Sequence, residues 1–223
     1  DTLVVKNDLK WDRVHPSMNA YDFKKADQVV EFAIRQSQKI HGHTLVWHNQ
    51  NPTWLTSGAW TPAQKRSFLE THIKTVIGYY KTKYPGTILA WDVVNEAILS
   101  SDAEVQASTN GGLRPTIWSD IDTQPDGYIR LAFQWAHEAD PNAILYYNDY
   151  NNDSVLNAKS NAVYNLVAKL KSQGVPIHGI GIQEHMSTDF GTPSVAILRQ
   201  NISRYKALGL KVRFTEFDVR TNT

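Results

Sequence analysis

Two acidic residues sit where chemistry is expected. Glu96 closes the run WDVVNE and Glu216 closes KVRFTE, and in both runs the residues ahead of the glutamate read as a buried strand. A carboxylate at each of two strand ends is the equipment for splitting a glycosidic bond. One protonates the leaving oxygen while the other attacks the sugar or activates water. The competing reading makes each glutamate a strand-end ion-pair partner, with Lys211 and Arg213 nearby in sequence. The histidines suggest a different chemistry. His41-Gly42-His43, with His48 further on, can bring two imidazoles to one face of a strand, as metal-dependent hydrolases do. Such a site needs further ligands at later strand ends; His185 is one candidate, but Gln183 beside it is a poor ligand. Imidazoles that hydrogen-bond a substrate or a carboxylate are therefore expected instead, with no metal and no cofactor.

These groups need elements to hold them. Residues 44–47 (TLVW), 88–94 (ILAWDVV), 143–147 (AILYY), 177–182 (IHGIGI) and 210–215 (LKVRFT) read as buried strands, and Leu3, Val4 and Val5 as the end of another. Helical patterns lie between them. Thr61-Pro62-Ala63-Gln64 has the form of a capping box with Pro at the first helical position, followed by a stripe of Leu69, Ile73, Val76 and Tyr80. Val163, Leu166, Val167 and Leu170 form a second stripe, closed by Gly174. Val195, Leu198, Ile202 and Tyr205 form a third, entered through Thr192-Pro193 and ended by Gly209.

Strands alternating with helices, without hairpin signals, predict parallel strands joined by helical crossovers. An open doubly wound sheet and a (β/α)8 barrel both fit. No glycine-rich phosphate loop follows a strand, which disfavours the first. Polar residues follow several strands instead: His48, Asn95-Glu96, Asn148-Asp149, Gln183 to His185 and Glu216 to Asp218. Barrel enzymes assemble their sites in that way. The expectation is an α/β chain, residues 1–223 forming a single (β/α)8 TIM barrel domain that is incomplete at both ends. Six strands are found where eight are needed, so the first strand is expected ahead of Leu3 and the last beyond Thr223. The stretch from Ala97 to Gly127, rich in Ser, Asp, Asn and Gly, reads as a long loop over the site face.

Composition narrows the partners. Among 223 residues, 23 Lys and Arg against 22 Asp and Glu give a net charge of +1, far from the basic excess of a nucleic-acid binder. No apolar run approaches the ~20 residues that span a bilayer, so no membrane partner is expected. The absence of cysteine removes disulfides and thiol chemistry. Seven Trp and ten Tyr supply platforms suited to sugar rings, although Trp47, Trp54, Trp60 and Trp91 serve equally well as packing. Asn152-Asp153-Ser154 and Asn201-Ile202-Ser203 match the glycosylation acceptor pattern, and Lys81-Thr82-Lys83 reads as a solvated helix end.

Five ordered segments then carry a resemblance: HGHTLVWH (41–48), WDVVNEAI (91–98), YYNDYN (146–151), GIGIQEH (179–185) and FTEFD (214–218). Together they resemble the signature segments of the family 10 glycoside hydrolases, endo-β-1,4-xylanases built on a (β/α)8 barrel. The resemblance implies a retaining double displacement with Glu96 as acid/base and Glu216 as nucleophile, their carboxyl groups ~5–5.5 Å apart. It implies that Asn95 holds the 2-hydroxyl of the sugar being cleaved and that His185 and Asp218 orient and charge-tune Glu216. Gln183 would neighbour that same carboxylate or the sugar. Asn7, Lys10, His43 and Trp47 would line the non-reducing-side subsites. The implied partner is xylan or a xylo-oligosaccharide, met by a monomer, and a polymeric substrate implies secretion. Two positions depart from the family pattern: Lys6 stands where Glu is usual, reversing a charge at a sugar-binding position, and His41 stands where Arg is common. A β-1,4-glucanase with the same carboxylate pair and a vestigial sugar-binding barrel are the alternatives. Without the two outer strands, a stable active enzyme is not expected.

Overall fold

The computed structural model describes residues 1–188 and 193–221. In chain order the elements are β1 (Thr2–Val4), α1 (Trp11–Val14), α2 (Lys24–Arg35), β2 (Lys39–Trp47), α3 (Thr53–Thr56), α4 (Pro62–Lys83) and β3 (Ile88–Asn95). There follow α5 (Asp102–Ala107), α6 (Gly127–Ala139), β4 (Ile144–Asp149), α7 (Ala158–Ser172) and β5 (Gly179–Ile182). The last are β6 (His185–Ser187), α8 (Val195–Ala207), β7 (Lys211–Phe214) and β8 (Asp218–Arg220). The chain divides into two compact units, Asp1–Asn95 with Pro115–Leu145, and Glu96–Arg114 with Tyr146–Thr223.

In the first unit β2 pairs in parallel with both β1 and β3. The expected capping box is present: the Thr61 side chain accepts from the Gln64 backbone N–H, the Gln64 side chain accepts from the Thr61 N–H, and Pro62 opens the helix. All four stripe residues, Leu69, Ile73, Val76 and Tyr80, are buried, each worth roughly 1.5–3 kcal/mol of transfer free energy. Trp91 is also fully buried, and a Cβ on Gly42 would collide with its indole, so Gly42 is the residue that lets this tryptophan lie against β2. Trp91 is therefore core, while Trp54 and Trp60 both pack edge-on against Phe68. Lys81, Thr82 and Lys83 are exposed at the end of α4 as expected, and the Lys83 ammonium meets Asp27 at 2.7 Å.

The second unit holds the parallel set β4-β5-β7 and a separate parallel pair, β6 with β8. The stripe of α7 is buried as expected, and Gly174 follows its end with φ +72°. The stripe expected of α8 holds in part: Tyr205 is buried and Leu198 and Ile202 are half-buried, while Val195 at its start is 67% exposed. Asn201 is buried beside them through polar docking: it donates to the Asn152 carbonyl, and Arg204 reaches Ser160 and Asn161. Ser194 caps this helix, while Thr192, expected at its entry, lies outside the described residues. Asn152 and Asn201 are both fully buried, so neither acceptor triplet presents its amide for glycosylation.

The expected long loop is also corrected. Ile98 bridges Leu113 in antiparallel fashion, the Leu99 N–H donates to Gly112 and the Arg114 N–H to Ala97. Ser101 and Glu104 form a capping box for α5 within that hairpin. Its Ser, Asn and Gly content is turn chemistry between short paired segments, which composition alone reads as loop.

One packed cluster of the first unit responds to acid. His15 and His72 are buried and face each other, Nδ1 to Nδ1, at 3.3 Å, and the Trp11 ring stacks on His72 with centroids 3.6 Å apart. His15 Nε2 lies 3.2 Å from the Met18 carbonyl and must donate there, so its Nδ1 accepts and His72 Nδ1 donates. That assignment requires a neutral His15, and protonating its Nδ1 would set two donors against each other. Burial lowers both pKa values, that of His72 to well below the usual 6.5. The unfolded chain thus takes up protons first as pH falls, and stability is lost below about pH 6.5, at up to ~1.4 kcal/mol per pH unit for each histidine. Urea unfolding between pH 7 and 4 is expected to show that fall, and to show less of it in His72→Leu.

Candidate active site

Strand register places most of the residues of interest. In the first unit the pairing of β2 with β3 sets His43 opposite Asp92. His41 Nε2 lies 2.8 Å from one Asp92 oxygen and His43 Nδ1 2.9 Å from the other. All three residues are buried. Burial alone would raise the Asp92 pKa, but the two imidazoles outweigh it and hold the carboxyl well below the usual carboxylate range. The HGH pair is therefore engaged by a carboxylate. His41, standing where the family resemblance expects Arg, keeps a hydrogen-bond donor at that carboxylate. Further along the same unit, Lys10 Nζ donates to Asn7 Oδ1 at 3.0 Å and lies 4.7 Å from the centroid of the Trp47 ring. Lys6 is exposed, and Asn95 is buried at the end of β3.

The second unit holds both glutamates. Gln183, directly after β5, donates from Nε2 to Glu96 Oε1 at 2.8 Å. The same residue also touches Glu216, whose N–H donates to the Gln183 carbonyl at 3.2 Å, so Gln183 lies beside both glutamates. Glu216 is held at both oxygens. Asn148 Nδ2 donates to Oε1 at 3.0 Å, and His185 Nε2 lies 3.2 Å from Oε2. His185 Nδ1 in turn lies 2.9 Å from Asp218 Oδ2. The short pair β6 and β8 sets His185 opposite Asp218 in register. Asp218 is more than half exposed, so its ion pair contributes little stability and its consequence is the ring orientation.

Asn148 was noted in sequence only as part of a polar cluster. Its side chain lies over Gly181 of the neighbouring strand, where an added Cβ would strike Asn148 Oδ1 and Thr215 Cγ2. Thr215 Oγ1 donates to that Oδ1 at 2.7 Å, which fixes the amide so that Nδ2 faces Glu216. The glycines of IHGIGI are thus vacancies for side chains on the adjoining strand.

Glu96 is also held through its backbone. It has φ +57°, a left-handed conformation that costs a non-glycine residue roughly 1–2 kcal/mol, and residues held in this way cluster at functional sites. Its N–H donates to the Asn148 carbonyl at 2.9 Å and its carbonyl accepts from Arg114 Nε at 3.2 Å. The next N–H, of Ala97, donates to Tyr147 Oη at 3.0 Å. Tyr147 Oη donates to Asp149 Oδ2 at 2.6 Å, and Lys159 Nζ lies 2.9 Å from Asp149 Oδ1, all three side chains being buried. Burial is the largest influence on Asp149 and raises its pKa, assisted by the charge of Glu96 and opposed by Lys159 and Tyr147. Arg114 carried no signal in sequence, since nothing in its neighbours marks it as facing Glu96.

Parallel strands joined by helices, with polar side chains gathered just past the strand ends, define the chain as part of a (β/α)8 barrel. The family model described as glycosyl hydrolase family 10 matches residues 1–223. Endo-1,4-beta-xylanase B of Thermotoga neapolitana is 44% identical over 212 residues, covering 95% of this chain and 56% of that protein. Two solved structures superpose closely. Xylanase 10B from Thermotoga petrophila RKU-1 in complex with xylobiose has a TM-score of 0.87 and 43% identity, covering 99% of this chain and 62% of that one. TsXylA, the intracellular xylanase of Thermoanaerobacterium saccharolyticum complexed with xylotriose, has a TM-score of 0.85 and 38% identity, covering 98% and 65%. The chain belongs to glycosyl hydrolase family 10, and it spans a little over half to two thirds of the length of these relatives.

The seat of Asn148 is open to test. Gly181→Ala forces a methyl group into space already filled, which costs about 1–3 kcal/mol. Chemical denaturation should show that loss, and an unchanged midpoint would mean that Asn148 does not need the vacancy.

Proposed function

We propose that the protein is an endo-β-1,4-xylanase acting with retention of configuration, with Glu216 as nucleophile and Glu96 as acid/base. The observation that carries the reading is a pair of strand-end glutamates in one compact unit, each with its carboxylate fixed by side-chain donors. Glu216 has a donor on each oxygen, Asn148 and His185, and a group that must strike one carbon benefits from a fixed plane. Glu96 receives an amide from Gln183 and rides on a constrained backbone turn, suited to a group that hands over a proton and takes it back.

In the first step Glu216 attacks the anomeric carbon as the glycosidic bond breaks, and Glu96 gives its proton to the departing oxygen. A glycosyl ester on Glu216 results. Glu96, now a carboxylate, takes a proton from water, whose oxygen attacks the same carbon and releases Glu216. Lys10, Asn7 and Trp47 offer an ammonium, an amide and an aromatic face, the groups that bond sugar hydroxyls and cover sugar rings. Xylan or xylo-oligosaccharide as substrate is supported by the xylobiose and xylotriose bound to the two relatives. Secretion rests only on the polymeric nature of xylan, and one of those relatives is an intracellular xylanase, so the family does not imply the compartment.

The test uses the intact protein. Glu216→Ala should release no reducing sugar from xylan. Glu96→Ala should lose about 10²–10⁴-fold on xylan, the usual contribution of a proton-transfer group, yet still form the glycosyl ester from aryl xylobiosides with activated leaving groups. NMR of the first product should show the β-anomer. An α-anomer, or an equal loss by Glu96→Ala on poor and activated substrates, would overturn the assignment. Faster turnover of carboxymethylcellulose than of xylan would make the protein a glucanase instead.

A further inference from the structure

We propose that Tyr147 is a positioning residue for Glu96, fixing with Arg114 the peptide plane that carries the acid/base side chain. The inference rests on the role of Glu96 argued above and extends it to groups outside the carboxylate pair. The carbonyl of Glu96 and the N–H of Ala97 belong to one peptide unit, which is planar and turns as a body. Arg114 Nε holds its oxygen and Tyr147 Oη holds its N–H. Gripped at both ends, this plane cannot rotate about its long axis; the Glu96 N–H on the Asn148 carbonyl holds the plane before it, and between the two the left-handed φ of Glu96 is kept against its own strain.

Tyr147 is itself held from behind. Along β4 successive side chains alternate in direction, so Tyr147 and Asp149 share one face while Asn148 takes the other. On that shared face Tyr147 Oη donates to Asp149, so its lone pairs are aimed at Ala97. Asp149 meets Lys159 from the first turn of α7. The backbone N–H of Lys159 donates to Asp102 of α5 at 2.9 Å, within the same hairpin segment that supplies Arg114. Lys159 Nζ also lies 3.3 Å from the centroid of the Tyr150 ring, and Tyr150 Oη donates to Ser100 at 2.7 Å. The support thus runs from a buried ammonium, through a carboxylate and a phenol, to the amide beside Glu96. Glu96 and the groups that grip its peptide are all contained in the second unit.

The test is Tyr147→Phe in the intact protein, which removes a single oxygen. It is assayed on phenyl β-xylobioside, a poor leaving group, and on 2,4-dinitrophenyl β-xylobioside, which needs no proton to depart. A displaced acid should lower kcat/KM at least about tenfold on the first and under about threefold on the second, through kcat rather than KM. A loss of equal size on both substrates, or no loss on either, overturns the inference, because a merely structural phenol cannot discriminate between leaving groups. Arg114→Lys, acting at the other end of the same peptide, should show the same selective loss and decides the matter if Tyr147→Phe does not fold. A wild-type protein that cleaves neither substrate sinks the xylanase reading and this inference with it. An active wild type with an unselective Tyr147→Phe sinks only the positioning role.

Discussion

A carboxylate is aimed only when something holds each of its oxygens, and Glu216 depends on Asn148 for one of them. The Asn148 amide points correctly because Thr215 fixes its oxygen and because Gly181 leaves it a place to lie. The requirement passes from a side chain to a missing side chain on the next strand. Parallel pairing makes that possible, since β4 and β5 run in register with Asn148 beside Gly181. Were the register to slip by one residue, the whole polar set would change face.

Much of this arrangement could be read from the chain. The six strands that alternate with helices, the capping box at Thr61, the stripes of α4 and α7 and the strand-end positions of both glutamates follow from periodicity and punctuation. What escaped has physical causes. Strands β6 and β8 have three residues each, too short for any alternation to declare itself, yet they seat His185 opposite Asp218. In α8 the stripe keeps Tyr205 buried, but side-chain hydrogen bonds also bury Asn201, which apolar periodicity gives no reason to expect. The hairpin from Glu96 to Arg114 pairs residues such as Ile98 and Leu113 across a stretch whose composition speaks only of turns. Gln183 illustrates a further limit: the resemblance put it beside Glu216 or the sugar, and only the geometry adds the bond from its amide to Glu96, while its carbonyl accepts from the Glu216 N–H.

The two acid-and-imidazole clusters show how the same residue types take different parts. Asp92 is fully buried between His41 and His43, where an unpaired charge would be costly and the imidazoles are obligatory partners. Asp218 with His185 is largely open to water, so removing either would cost little stability, and the exposure leaves the ring free to answer to Glu216 as well.

The Asp149–Lys159 pair poses the remaining physical question, because burying two charges is seldom the cheapest way to stabilise a fold. Apolar residues of similar volume often do as well or better, while removal of one partner is severe. Surface pairs such as Lys74 with Glu138 carry no such penalty and little benefit. A buried pair makes sense where direction matters more than energy: an ionised carboxylate orients a phenol more firmly than a neutral acceptor does. Strand β4 then performs two tasks from its two faces. Asn148 on one side steadies Glu216, and Tyr147 with Asp149 on the other steadies the turn that bears Glu96. A single six-residue strand thus governs both acidic groups, and its rigidity limits how far either can drift from the other.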